Sequence, residues 1–210
     1  MALHPRQGLV PGAHNPSFTP SEPDMPLPVR SISSRWLSAA AVSIAVALGT
    51  GCASAPQPSD YAQQQPKLDF RAYFNGPVSA QGMFTDRDGR VVKRFSVAMM
   101  GRWDGQQGVL EEDFTYSDGT RERRVWRLTD LGGGRYEGRA DDIVGVALGE
   151  SSGNALRWRY TMKVPVDGRV IEFQFDDWMY QMDARTMLNK AYMRKFGVTV
   201  GEVTLSFLKP

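Results

Sequence analysis

The chain has 210 residues, with 25 basic against 23 acidic side chains, and 10% of its residues are aromatic. This near balance of charge gives no reason to expect nucleic acid as a partner. Histidine occurs only at His4 and His14 and cysteine only at Cys52, so the chain beyond Cys52 has no Ser-His-Asp triad, Cys-His pair, imidazole zinc site or structural disulfide.

In chain order, residues 1–24 are rich in Pro, His and Ser and carry no periodicity, and we read them as an overextension of the gene ahead of a true start at Met25. Residues 25–51 then form a compact leader. Arg30 and Arg35 supply the positive start, residues 36–48 the apolar stretch, and Gly49, Thr50 and Gly51 the small residues at a cleavage site. The stretch is too short to span a bilayer, which takes about 20 apolar residues. Gly49-Thr50-Gly51-Cys52 resembles a lipobox, although Gly49 stands where an aliphatic residue is usual and Leu48 lies one step earlier. We expect Cys52 to be lipidated, against the alternative of a plain secretory signal and an incidental cysteine. Ala53 and Ser54 follow, not an aspartate of the kind that retains lipoproteins in the inner membrane, so the expected location is the outer membrane, facing the periplasm. Residues 52–67, rich in Pro, Gln and Ser, read as a flexible tether. The folded domain is expected over residues 68–210.

Phe70, Tyr73 and Phe74 fall at helical spacing, and Asn75-Gly76-Pro77 stops the helix after a turn. Beyond it, turn signals recur every several residues: Asp88-Gly89, Asp104-Gly105, Asp118-Gly119, Asp167-Gly168 and others. The segments between them alternate. Trp158, Tyr160, Met162 and Val164 oppose Arg157, Arg159, Thr161 and Lys163, and Ile171, Phe173 and Phe175 alternate with Glu172, Gln174 and Asp176. About nine or ten strands in a meander leave no room for crossover helices, and closure removes exposed edges. The expected fold is all-β, an antiparallel up-and-down meander closing into a barrel of lipocalin or calycin shape with one short N-terminal helix. An open sandwich is the alternative. A transmembrane barrel is disfavoured, because the chain ends Leu208-Lys209-Pro210, not on an aromatic residue.

Five segments together resemble one family: Tyr73-Phe74-Asn75-Gly76-Pro77, Gly101-Arg102-Trp103-Asp104-Gly105, Tyr136-Glu137-Gly138-Arg139-Ala140-Asp141-Asp142, Asn154-Ala155-Leu156-Arg157-Trp158-Arg159-Tyr160 and Asp176-Asp177-Trp178-Met179-Tyr180. This is the group of uncharacterised proteobacterial lipoproteins described as domain of unknown function 3833. The resemblance covers residues 68–210. It implies no activity and no site residues; it implies, through neighbouring genes for fatty-acid modification, an envelope-lipid role.

The densest polar and aromatic segment is Asp176 to Tyr180. Adjacent aspartates of a strand point to opposite faces, and Asp176, Trp178 and Tyr180 share one. They are candidates for a polar anchor beside an aromatic wall, unless an aspartate merely pairs with an arginine across a strand. Trp126, Trp158 and Tyr160 complete the aromatic lining, with Arg139 as a basic partner. Asp141-Asp142 reads as a turn with solvated carboxylates beside a bulge at Gly145 and Gly149. Glu111-Glu112-Asp113 and Arg121 to Arg124 are placed to oppose each other as a solvent-facing charge ladder. No cofactor or metal is implied. We expect a lipid or other apolar small molecule as ligand and a membrane reached through the lipid anchor. A structural factor binding an envelope protein is the alternative. An enzyme is disfavoured by the lack of histidine and kept open by Asp141, Asp176 and Asp177.

Overall fold

The structure, a computed structural model, describes residues 55–210. The leader, the start at Met25 and the lipidation of Cys52 lie outside the described residues. Ten strands follow a short helix: β1 (Gly76–Asp86), β2 (Val91–Asp104), β3 (Gln107–Tyr116), β4 (Arg121–Gly132), β5 (Arg135–Arg139), β6 (Ile143–Ser152), β7 (Ala155–Val166), β8 (Arg169–Gln181), β9 (Thr186–Lys195) and β10 (Val198–Leu208). Each pairs antiparallel with its sequence neighbour, and β1 pairs with β10 to close the barrel. Ala80 lies opposite Phe207 in that closing ladder. The meander of lipocalin-like shape expected from the turn spacing is the fold observed.

The alternation explains the closure. On β2, Phe95, Val97 and Met99 are buried in the lumen while Arg94, Ser96 and Ala98 are exposed. A closed sheet needs each strand to present one apolar face inward, and period 2 provides it. The turns carry the expected residues: Asp167 and Gly168 both have positive φ (49° and 75°), the backbone of a type I′ hairpin. Gly145, with φ of 74°, sits where the β6–β7 register shifts between Val144 and Leu148, the bulge anticipated there.

Helix α1 (Phe70–Tyr73) closes one end of the barrel. Asp69 caps it by accepting from the Ala72 N–H at 2.9 Å. Phe70, Tyr73 and Phe74 are buried, as their spacing predicted. The far end of the chain locks the helix: Lys209 Nζ donates to the Tyr73 and Asn75 carbonyls, each at 2.7 Å. Gly101 admits the close approach, since a Cβ there would lie 1.6 Å from the Phe74 carbonyl oxygen.

Residues 55–67 depart from the expected tether. Pro58–Tyr61 forms a 3-10 turn, Pro58 is fully buried, and the Leu68 N–H donates to the Gly153 carbonyl at 2.8 Å. Low hydrophobicity alone suggested a linker; Pro58 and Tyr61 suffice to dock it on the barrel wall. All ten strands and the whole core lie within residues 55–210, and residues 54–210 form a compact unit of their own. A chain beginning at Ala55 therefore retains all ten described strands, α1 and the described core.

The charge ladder between β3 and β4 divides in two. On the outside, Arg123 pairs with Glu111 at 3.1 Å and Asp113 at 3.4 Å, and Arg102 joins Glu111 at 3.1 Å. Glu112 and Arg124, directly opposite each other in the register, point into the barrel instead. Successive side chains of a strand alternate, so the expected ladder cannot lie on a single face.

Candidate functional site

A cavity of about 270 Å³ occupies the lumen. Its floor is Phe70 and Phe74 of α1, and its walls are mostly Phe, Met, Leu and Val from the strands. It reaches Glu122, Lys163 and Pro165 at the opposite end, all three of which are exposed, so it opens there to solvent. The end closed by α1 and the end that opens are thus distinct.

Two polar groups interrupt the apolar wall. The first is built around Arg124 of β4. Its Nε donates to Asp142 Oδ2 at 2.8 Å, and its Nη1 lies 3.5 Å from Glu112 Oε2. Trp126 Nε1 donates to the same Glu112 oxygen at 3.3 Å, and the guanidinium lies 5.1 Å from the centre of the Phe114 ring. Burial raises Glu112 to about 6, against the opposing pull of Arg124. Burial works to lower Arg124, but the Glu112 and Asp142 carboxylates more than offset it and hold it charged. Among the described residues, Asp142 Oδ1 is buried and has no hydrogen-bond partner.

The second group centres on Asp177 of β8. Tyr160 Oη donates to Asp177 Oδ2 at 3.0 Å, and Asn189 Nδ2 donates to Asp177 Oδ1 and to the Trp178 carbonyl at 3.0 Å. Burial raises Asp177 to about 6 despite these donors. Burial and the neighbouring Asp177 carboxylate hold the Tyr160 phenol well above its ordinary value, so it remains a donor. Trp126 meets Tyr160 edge-on at 6.0 Å, and Tyr160 stacks on Phe175 at 5.2 Å. The two groups are joined through this aromatic wall.

Of the residues singled out in the sequence, Trp126, Trp158 and Tyr160 line the cavity. Trp158 lies against the floor, 5.8 Å from Phe70, and over Gly149, where a Cβ would come within 2.9 Å of its ring. The other four face outward. Arg139 is exposed and donates to the Gly145 carbonyl at 3.4 Å. Asp176 is held by Arg157 through bonds of 2.6 and 2.7 Å. Trp178 stacks on Tyr180 at 5.9 Å, with the Arg157 guanidinium 4.9 Å from the Trp178 ring centre. Tyr61 packs on both rings, at 5.7 and 5.4 Å. Trp178 and Tyr180, with Asp176 behind Arg157, form the seat of the Pro58–Tyr61 turn and not a ligand wall, while Arg139 lies apart on β5.

The cause of the error is plain in the strand itself. Phe173 and Phe175 face inward, and two further steps reach Asp177 and Met179, not Asp176 and Trp178. Trp178 misleads because it is buried from outside, under residues expected to be a linker. Asp142 also turns inward, while only Asp141 of that pair is exposed. Glu112, Arg124 and Asp142, read from the sequence as solvent-facing, and Asn189, not named there, are polar lining of the cavity; Asp177, named only as a carboxylate that keeps an enzyme open, joins them, as extending the alternation would have shown.

Among the described residues, no group of three or more His, Cys, Asp or Glu is arranged to hold a metal ion, and no helix is long and apolar enough to cross a membrane. No curated protein matches the chain. The family that the five motifs resemble is the one found by comparison over most of the chain: residues 46–209 match the family described as Protein of unknown function (DUF3833), and the chain belongs to it.

Proposed function

We propose that this protein binds a lipid-class apolar ligand in the barrel lumen, as an outer-membrane lipoprotein held at the periplasmic face by a lipid on Cys52. The observation that carries the proposal is the cavity above the α1 floor, apolar along most of its wall and open at one end. Its volume of about 270 Å³ falls just below the roughly 300–1,000 Å³ of small-molecule pockets, and suits one chain better than a bulky ring system. The polar wall narrows the ligand further. Arg124 is already shared by two carboxylates, and Lys163 stands at the mouth, so an anionic head would find no uncommitted cation inside. Glu112, Asp142 and Asp177 favour a head that donates hydrogen bonds, such as a hydroxyl or an amide.

The test is native mass spectrometry of the protein purified gently from bacterial periplasm, joined to uptake of a fluorescent fatty-alcohol probe. A co-purifying lipid and saturable uptake are expected. An apo mass with no uptake would remove the proposal and leave the outer surface and an envelope protein partner. Fractionation of a Cys52→Ser variant away from the outer membrane is expected if the anchor is as proposed.

Two buried acids raised to about 6 in one cavity are also what acid-base catalysis requires, which favours a second reading as a carboxylate-dependent enzyme. It would show as cleavage of the bound lipid over time, lost in Asp177→Asn while probe uptake persists.

A further inference from the structure

We infer that the open rim of the barrel docks on the surface of an anionic lipid bilayer, with the tips of the β7–β8 and β9–β10 hairpins as the inserting element. The two hairpins are neighbours around the barrel, since β8 pairs with β9. Phe196 occupies the first position of the two-residue β9–β10 turn with φ of 52°, a conformation usually left to Gly, Asn or Asp. The residue is 90% exposed. Val170 beside the β7–β8 turn is 68% exposed and Val198 is 58% exposed. Val91 and Val92, where β2 begins next to the β1–β10 seam, extend the apolar arc at 52% and 62%. A turn that places a bulky aromatic in left-handed backbone and leaves it in water gains nothing for the fold, and strain of this kind points to function.

The charge around the arc chooses the occupant. Residues 163–172, 194–199 and 86–93, the three tips of the arc, together carry seven basic side chains against four acidic ones; Arg194 also lies 3.9 Å from Asp176, and Lys195 Nζ donates to the Glu172 carbonyl at 2.7 Å. Lys195 Nζ lies 5.0 Å from the Phe196 ring centre. Apolar tips set among basic side chains match a bilayer interface with anionic head groups: the tips enter the acyl boundary and the cations meet the phosphates. The cavity opens at this same end, through Lys163 and Pro165, so docking would bring its mouth to the membrane. Docking stands on the rim alone; only the passage of ligand from bilayer to lumen rests on the function proposed above.

The test uses the chain from Ala55 to Pro210, so that no lipid anchor contributes. Co-sedimentation is measured with vesicles of phosphatidylcholine alone and with one third phosphatidylglycerol, at low and high salt. The parent is expected to bind the anionic vesicles and to be released by salt. Val170→Asp with Phe196→Asp should weaken that binding about tenfold or more. Arg169→Glu with Lys195→Glu, which keeps the apolar tips, should abolish the preference for phosphatidylglycerol. Probe uptake from solution should be unchanged in both variants, so a dead lumen and a dead rim give different results. The inference is overturned if the parent ignores both vesicle types, or if both variants bind as the parent does. It is equally overturned if the parent self-associates in sedimentation velocity without binding vesicles and the Asp variant is monomeric, which would make the rim an interface between copies.

Discussion

Lowering the pH of the empty barrel from about 7.5 to about 5 should stabilise it by about 2–3 kcal/mol. Burial raises Glu112 from an ordinary 4.5 to about 6 and Asp177 from 3.8 to about 6. In the unfolded chain both are largely ionised at pH 5, whereas in the barrel both are largely protonated. The folded state binds more protons through this window, so the contribution is fully present below the unfolded values and is lost as pH rises through about 6. Each acid contributes about 1.3 kcal/mol at pH 5 relative to pH 7.5. Asp176 acts in the opposite sense: Arg157 holds it below its ordinary value against the effect of burial. Its stabilisation is therefore lost only as pH falls through a range below the window. Residues 55–210 contain no histidine to titrate within this window. Urea unfolding followed by tryptophan fluorescence at the two pH values measures the difference. Glu112→Gln should remove about half of it, and adding Asp177→Asn should flatten the profile. A parent whose stability is level or falls toward pH 5, or a rise that survives in the double variant, would refute the reasoning.

Three other outcomes can be checked directly. Gly101→Ala should cost about 3 kcal/mol or more in thermal unfolding, because the new Cβ meets the backbone oxygen of Phe74, which cannot turn aside as a side chain would. Ala191→Trp should lower apolar-probe affinity about tenfold or more by filling the cavity it lines, with the fold verified by circular dichroism. Trp178→Ala should leave probe uptake unchanged and increase amide exchange at Asp60, Ala62 and Gln64, whose N–H groups bond within the N-terminal turn seated on that ring.

The barrel was largely legible in the sequence because its signals are local. Asp167-Gly168 adopts its turn from two residues' backbone preferences, and Phe95-Ser96-Val97-Ala98-Met99 alternates whatever lies beside it. The site was legible only in part. Trp126, Trp158 and Tyr160 are lumen residues as expected. Asp176, Trp178 and Tyr180 are not, because both faces of β8 carry large aromatics and the outer ones are covered by residues 58–61. The same ambiguity divided Glu112 from Glu111 and Arg124 from Arg123: four charges that look alike in sequence, two paired in water and two inside the barrel.

The sequence by itself determined that residues beyond Cys52 hold no histidine, where the strands turn, and that a short aromatic helix precedes them. These depend on composition and on contacts a few residues apart. Only the tertiary structure decided that the lumen retains a cavity, that Glu112 of β3 and Asp142 of the β5–β6 turn share Arg124 of β4, and that Asp177 and not Asp176 faces that cavity. Cavity volume is what remains after side chains from all ten strands and α1 have been packed. A buried carboxylate's proton affinity depends on neighbours brought from distant parts of the chain. Both are sums over long-range contacts, and no local pattern carries them.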